Sequence, residues 1–460
     1  MTNDNAAFEF DPIAYINEPR WQASRLGLDR IRELLERLGR PQDRLRFVHV
    51  AGTNGKGSTC AYIANVLQAA GYRTGWFSSP YIEVFEERIR VNGANISLDD
   101  LTRVTLQVRD QAEAMAADTG DHPTEFELMT AVALLHFAQA GCQVVVLEVG
   151  LGGRLDSTNV IEEPDVAVIC RIGLDHTAML GSTVAQVAAE KAGIIKQGSA
   201  VVSWPQEPEA AAVVRDAAQA AGDTLTCADF SQLEIQPVAR SASNQLAEGE
   251  IAAVRPFTYK GKQFETTLLG TYQPQNAAVA LEAIDALRAR GWEISDAAVI
   301  AGVAATRWAG RFEVLPHIPN KPTIVIDGGH NPQGAQVLAD SLDDVFAGEK
   351  VVLLSGVMGD KNYVAMLETV LPCACGFVAV APGNPRALPA NEYAAAARTV
   401  AAKLPTAPAA ENIQAAETYA EATTAAQRLA GSSGIICAFG SLYSIHETKE
   451  ALRRAGLLKD

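Results

Sequence analysis

The sequence predicts an α/β protein of two domains: a doubly wound N-terminal domain with a small antiparallel sheet appended, and a smaller Rossmann-like α/β C-terminal domain. Three observations carry this. Short apolar runs such as Gln143–Val149 and Val166–Cys170 read as strands buried on both faces of a parallel sheet. Such runs alternate with segments of helical period, first from Leu28 and again from Thr323. Between the two series, Leu225–Gly270 shows weak period-two alternation and few helix signals.

In chain order, Leu28, Ile31, Leu34, Leu35 and Leu38 recur at helical spacing and Gly39 stops the run. Arg46–Val50 reads as a strand, followed by a glycine-rich turn and a helix to Ala70 that Gly71 terminates. Arg73–Phe77 is the next strand. Thr124 with Glu127 forms a capping box before a helix ending at Gly141. Lys260–Lys262 is a turn between antiparallel strands appended to the first domain, and a helix runs from Pro274 to Arg290. The second series has strands at Thr323–Asp327, Lys350–Ser355, Gly376–Ala381 and Ile435–Ala438, with two alanine-rich helices in Ala394–Leu429. The domain boundary falls within Ala301–Arg311, giving domains 1–305 and 306–460.

Composition narrows the function. The 38 Lys and Arg against 54 Asp and Glu leave a net charge of −16, opposite to a duplex-binding protein, so nucleic acid is excluded as the expected partner. Any anionic ligand must then be held by backbone amides, a few placed cations or a metal. The seven cysteines show no CxxC pair and read as small buried hydrophobes of a reducing cytoplasm. The start of the chain lacks a basic and an apolar segment in series, and no stretch of about 18 apolar residues occurs, so a cytoplasmic protein without a membrane span is expected.

His49–Thr59, HVAGTNGKGST, sits on a strand–turn–helix unit, the context of a P-loop. Glycines let amides curl round an anion, the helix start adds its positive end, Lys56 brings a mobile charge, and Ser58 or Thr59 offers a hydroxyl to Mg2+. The common pattern G-x-x-x-x-G-K-[ST] is not met, because Val50 stands at its first glycine and Gly57 follows Lys56. Glu148 lies near the end of an apolar strand, where a carboxylate is costly unless paired or metal-bound. Phe77–Gly93 reads from composition as a solvated connection, His176 as a polar loop residue at a strand end, and Lys191 as a helix-surface lysine. His49, His122, His136, His317 and His446 read as structural.

The loop GTNGKGS, with FSSPYIEVFEERIRVNG, LEVGLGGRLDSTN, GLDHTAMLG, AAEKAGIIK, QPQNAAVAL, TRWAGRFEV, IDGGHNPQG, SGVMGDKNY and FGSLYSIHE, resembles the folylpolyglutamate synthase/dihydrofolate synthase subgroup of the Mur ligase superfamily. The resemblance implies a first domain that binds ATP and folate and a second that binds glutamate. It places ATP on Thr53, Asn54, Gly55, Lys56, Gly57, Ser58, Asn276, Arg311 and Asp327. It places the pterin acid and glutamate on Ser79, Thr124, Glu125, Phe126, Glu127, Leu155, Asp156, Ser157 and Ser441. Two Mg2+ ions would be held by Ser58, Ser79, Glu148, His176 and Lys191, the lysine as a carbamate. Lys56, Lys191, Asp327 and His330 are the implied catalytic set. This chain departs from the subgroup at Ala309 for Pro, Gly329 for Ala and Asn362 for Asp.

The expected activity is ATP-dependent addition of L-glutamate to dihydropteroate, to reduced folates, or to both, through an acyl phosphate, by a cytoplasmic monomer. Closure of the C-terminal domain would keep water from that intermediate. A monofunctional folylpolyglutamate synthase is the alternative. A P-loop kinase or NTPase would instead form ADP without dependence on glutamate. A nucleotide-sensing module would have no use for Glu148, His176 and Lys191, and a cell-wall Mur ligase would carry a large UDP-binding domain before residue 49.

Overall fold

A computed structural model describes residues 10–18, 25–245 and 251–459. The run around Val48 becomes strand β1 (Phe47–Ala51), buried at every position, as coverage on both faces requires. Its companions are β2 (Thr74–Phe77), β3 (Ile89–Val91), β4 (Ala94–Asn95), β5 (Val144–Glu148), β6 (Val166–Ile169), β7 (Ala200–Ser203) and β8 (Leu225–Cys227). Among the described residues they form one eight-stranded sheet, ordered β4-β3-β2-β5-β1-β6-β7-β8. β2, β5, β1, β6, β7 and β8 run parallel, and β3 with β4 closes one edge as an antiparallel hairpin.

Helices cover this sheet. Leu34, Leu101, Val132 and Phe137 pack with Phe47, Phe77, Val145 and Leu147 in one core, and Val187 and Val214 pack with Ala51 and Ile169 in another. The capping box is formed as the sequence predicts: Thr124 caps the helix Glu125–Gln139, and Glu127 Oε2 accepts the Thr124 amide at 2.7 Å.

The second series folds around its own sheet. After β9 (Leu233–Ile235), β10 (Ala239–Gln245), β11 (Ile251–Tyr259) and β12 (Lys262–Thr266) come β13 (Glu313–Val314), β14 (Thr323–Ile326), β15 (Val351–Ser355), β16 (Ala374–Ala379), β17 (Ile413–Ala415) and β18 (Ile435–Phe439). β9 to β12 form an antiparallel sheet whose last hairpin turns at Lys260 and Gly261, both at positive φ. The other six are ordered β13-β14-β18-β15-β16-β17, all parallel except β13. The alanine-rich stretch gives helices Ala390–Ala401 and Tyr419–Ala430, with β17 between them.

Several expectations change. Leu225 does not open an antiparallel sheet, because β8 extends the parallel one. By compactness the chain divides into two units, one holding the chain through Asp229 with Val279–Gly302, the other Phe230–Ala278 with the chain from Val303. The antiparallel strands β9 to β12 fall in the second of these units. Arg255 of β11 is a fully buried arginine whose guanidinium pairs with Asp344 at 2.6 Å and donates to the Leu269 carbonyl. Phe77–Gly93 is not a solvated connection. The buried Glu87 carboxylate accepts the amides of Ile82, Glu83 and Val84, each at 3.1 Å, and folds the loop onto β3. The helix Leu98–Thr119 and the short strands β13 and β17 carry no sequence signal read above. Cys60, Cys142, Cys170 and Cys437 are buried as expected, whereas Cys227 and Cys375 are exposed and Cys373 is half-buried. Cys227 ends an edge strand, and Cys375 precedes the part of β16 that β17 covers. Among the described residues no helix is long and apolar enough to cross a membrane.

Candidate active site

Three of the motifs leave neighbouring strands of the first unit. The glycine loop follows β1, Glu148 ends β5, and Gly173–Gly181 follows β6, with β1 lying between β5 and β6. All three open at the carboxyl edge of parallel strands, where such sheets take ligands.

In the glycine loop, Gly55 adopts the left-handed conformation (φ 88°) that starts the helix Lys56–Ala69. Lys56, Gly57 and Ser58 thus contribute the amides that a helix start leaves without an intrahelical acceptor, a ready anion cradle. Thr53 and Asn54 are placed differently. Both amides donate to the Arg171 carbonyl, at 2.9 and 3.1 Å, and the Thr53 hydroxyl exchanges hydrogen bonds with Gly173 at 2.9 and 3.0 Å. These two residues fasten the loop to the segment after β6. Gly52 lies on Cys170 so closely that a Cβ there would stand 2.6 Å from the cysteine Cβ.

Lys191 is not on a solvated face. It is 4 % exposed, and its Nζ donates to the Gly52 carbonyl at 3.0 Å, the oxygen that Lys56 Nζ also meets at 3.0 Å. Burial first, and then the Lys56 charge, push the Lys191 amine down to about 7. Glu148 is buried, and its charge helps raise the Cys60 and Cys170 thiols, which burial raises first. His176 is exposed, at φ 49°, at the start of the short helix Thr177–Leu180.

The loop after β5 is tightly built. The buried Asp156 accepts the Leu151 amide at 2.8 Å and the Thr158 amide and hydroxyl at 3.0 and 2.6 Å. Asn159 Nδ2 donates to the carbonyls of Arg154 and Gly193, both at 3.0 Å, tying the loop to the end of the Lys191 helix. Leu155 is half-buried and Ser157 buried. Thr124 and Glu127 are engaged in their cap, and Glu127 also pairs with Arg30 at 3.1 Å. Glu125 lies 3.6 Å from Arg88, and Phe126 packs on Phe77 and against Gly150. Ser79 is half-buried and precedes a cis proline.

In the second unit, Asp327 directly follows β14 and is buried. Oδ2 accepts from the Tyr272 hydroxyl at 3.1 Å and the Phe312 amide at 2.8 Å, and Oδ1 accepts from the Gly329 amide at 2.7 Å. Burial raises the carboxyl above its ordinary range, while the nearby Arg311 acts in the opposite direction. His330 Nδ1 contacts the Gly328 carbonyl at 2.9 Å. The buried Asn276 donates to Gln273 at 3.2 Å. Ser441 caps the turn Leu442–Ser444 with its hydroxyl. Asn362 caps the helix Tyr363–Val370, a task that Asn and Asp share. A Cβ on Gly329 would meet Asp327 Oδ1 at 2.8 Å, so this geometry suits the glycine this chain carries.

Sequence reading missed the buried His49–Thr158–Asp156 line, in which His49 Nε2 meets Thr158 Oγ1 at 2.9 Å. It also missed Tyr272 and Arg171. A histidine inside an apolar strand is a signal for the first, because a buried imidazole needs a partner. Arg171 acts through its carbonyl, which leaves no trace in side-chain identity.

The donor set fits one Mg2+ directly, since Ser58 and Glu148 bring hard oxygens beside a phosphate cradle. His176 and Lys191 would suit a second Mg2+ only if the lysine is converted to a carbamate, because this ion takes oxygen ligands and an amine brings none. Among the described residues no three His, Cys, Asp or Glu side chains gather as a metal cage. Mg2+ is usually held by one or two carboxylates with substrate phosphates.

Residues 50–284 match the Mur ligase middle domain and residues 310–442 the glutamate ligase domain of the same family. A dihydrofolate synthase/folylpolyglutamate synthase of Bacillus subtilis is 39% identical over 368 residues, covering 77% of this chain and 82% of that protein. A folylpolyglutamate synthase of Lacticaseibacillus casei is 36% identical, over 84% of this chain and 88% of that one. Among solved structures, the Mycobacterium tuberculosis folylpolyglutamate synthase complexed with ADP and AMPPCP superposes with a TM-score of 0.83 at 29% identity, over 98% of this chain and 100% of that one. Escherichia coli FolC in complex with DHPP and ADP gives 0.79 at 27% identity, over 97% and 99% of the two chains.

Proposed function

The chain belongs to the Mur ligase family, and from that membership we propose that it adds L-glutamate to dihydropteroate and to reduced folates, at the expense of ATP. Relatives named for both activities, including the one from Bacillus subtilis, support the bifunctional reading. In this reading the acceptor carboxylate takes the terminal phosphoryl group of ATP, and the glutamate amine then displaces phosphate to form the amide.

The observation that carries it is the pair of lysines on the Gly52 carbonyl beside the buried Glu148. A site that joins two anions must neutralise both, and this one sets two amines behind a helix-start anion cradle. We assign the ATP phosphates to the amides of Gly55–Ser58 and to Lys56, with Thr53 and Asn54 holding the loop in shape. Asn276, Arg311, Asp327 and His330 serve the nucleotide or the incoming glutamate, with Ser441 on the glutamate. The loop Leu155–Ser157, with Ser79 and Thr124–Glu127, serves the pterin acid. Ser58, Ser79 and Glu148 would hold one Mg2+, and His176 with carbamylated Lys191 a second. Bound there, the metal neutralises phosphate charge and aligns the oxygens. A neutral Lys191 amine is the form that takes up CO2, and its displaced pKa supports that step. The protein is assigned to the cytoplasm as a monomer.

The test is ADP release with product mass, using purified protein, Mg-ATP and L-glutamate. Three reactions differ only in acceptor: dihydropteroate, tetrahydrofolate or none. Turnover with both, each product heavier by one glutamyl residue, is the expected result. Turnover with tetrahydrofolate alone makes the enzyme monofunctional. ADP release that ignores both acceptor and glutamate overturns the ligase reading in favour of an NTPase.

A further inference from the structure

Arg311 stands between two residues of left-handed backbone, Gly310 (φ 67°) and Phe312 (φ 50°). For glycine this is ordinary, but a buried phenylalanine rarely adopts it, and such strain persists only where the surroundings impose it. Here two bonds do so. The Gly328 amide donates to the Gly310 carbonyl at 2.8 Å, and the Phe312 amide donates to Asp327 Oδ2 at 2.8 Å. The turn thus presents Arg311 along the backbone of Gly328, where a Cβ would stand 3.2 Å from the arginine Nη1.

Asp327 and Arg311 are close enough to feel each other's charge, yet among the described residues Arg311 makes no ion pair. A buried carboxylate beside a guanidinium ordinarily pairs with it, often through two bonds. What holds Asp327 back is its set of three other donors. Two are backbone amides fixed by the turn, and the third is the Tyr272 hydroxyl on Oδ2.

We propose that Tyr272 is a positioning residue that keeps the Asp327 carboxylate off Arg311, so that the guanidinium stays open to an anionic group of the nucleotide. The inference rests on the nucleotide-binding reading of Arg311. Removing the phenol hydroxyl leaves a buried carboxylate short of a donor, and the nearest replacement is the guanidinium. Arg311 would then spend its charge inside the protein.

The test is Tyr272→Phe in the full chain, read by ADP affinity in calorimetry and by steady-state kinetics. ADP binding should weaken about tenfold, in line with loss of one charge-assisted contact. The KM for ATP should rise with it, while the KM for the acceptor at saturating ATP stays within about twofold and the melting temperature stays within a few degrees. In an Arg311→Ala background the same substitution should cost nothing further, because the two residues act in one line. Unchanged ADP affinity in Tyr272→Phe overturns the proposal, as does an equal loss in the Arg311→Ala background. A wild-type protein that binds ADP without joining glutamate fails the ligase reading alone, and the ADP affinities still decide this one.

Discussion

Lys56 and Lys191 point their amines at one oxygen, each 3.0 Å from the carbonyl of Gly52. Burial loosens the Lys191 proton first, and the nearby Lys56 charge loosens it further. Lys56→Met should therefore raise the Lys191 pKa from about 7. Competitive acetylation across pH 6 to 10, read by mass spectrometry at Lys191, measures it. The labelling midpoint should move up by about one unit, and a midpoint that stays in place would show that Lys56 does not act on Lys191.

Replacing Lys191 separates stability from activity. A buried amine costs solvation that its hydrogen bond to the Gly52 carbonyl does not fully return. Lys191→Met fills the same space without that cost, so the melting temperature should rise or hold. Ligase turnover should fall by about a hundredfold or more, the scale expected when a group that stabilises transition-state charge is lost. A variant that unfolds at lower temperature and keeps its turnover would contradict both parts.

The loop after β5 and the end of the Lys191 helix interlock through glycines. A Cβ at Gly153 would meet the carbonyls of Glu190 and Lys191 at 2.7 and 2.9 Å, and one at Gly193 would meet Arg154 Cβ at 2.4 Å. Neither backbone can yield without shifting the other. Gly153→Ala should destabilise the protein by about 1–3 kcal/mol. Because it displaces the Leu155–Ser157 loop, it should raise the acceptor KM more than the ATP KM, which initial-rate measurements separate. Equal effects on both would remove that loop from acceptor binding.

The contrast between these residues shows what the sequence discloses. Glycine loops, a strand-end acid and the capping box at Thr124 are local patterns, and each names its own element. Neighbouring strands such as β5, β1 and β6 then bring three such patterns to one edge. Lys191 is different: nothing in a helical lysine tells whether it faces water, and the resemblance of AAEKAGIIK to a known family, not helical spacing, singled it out. Arg255 illustrates the same gap on a larger scale. Its pairing with Asp344 ties β11 to the helix Pro332–Phe346, and a contact across 89 residues leaves no local signal. Tyr272 is silent in the sequence for a related reason, since its partner Asp327 lies 55 residues away.

His49 offers a test of the buried line behind the acceptor loop. Burial, with a smaller effect of Lys196, lowers its pKa from the ordinary 6.5 to about 3. Thr158 gives its hydroxyl proton to Asp156, so the imidazole must donate from Nε2 and stays neutral in the folded protein. In the unfolded chain the same imidazole takes up a proton below pH 6.5. The unfolded state therefore binds more protons between about pH 6.5 and 3, and folding stability falls as pH drops through that window. His49→Gln keeps a donor for Thr158 and removes the titration. Urea unfolding at pH 7 and pH 5 should show the wild type losing about 2 kcal/mol more than the variant over this interval. Equal losses would mean that the imidazole is protonated in the folded state, and the tautomer that joins β1 to Asp156 would then be wrong.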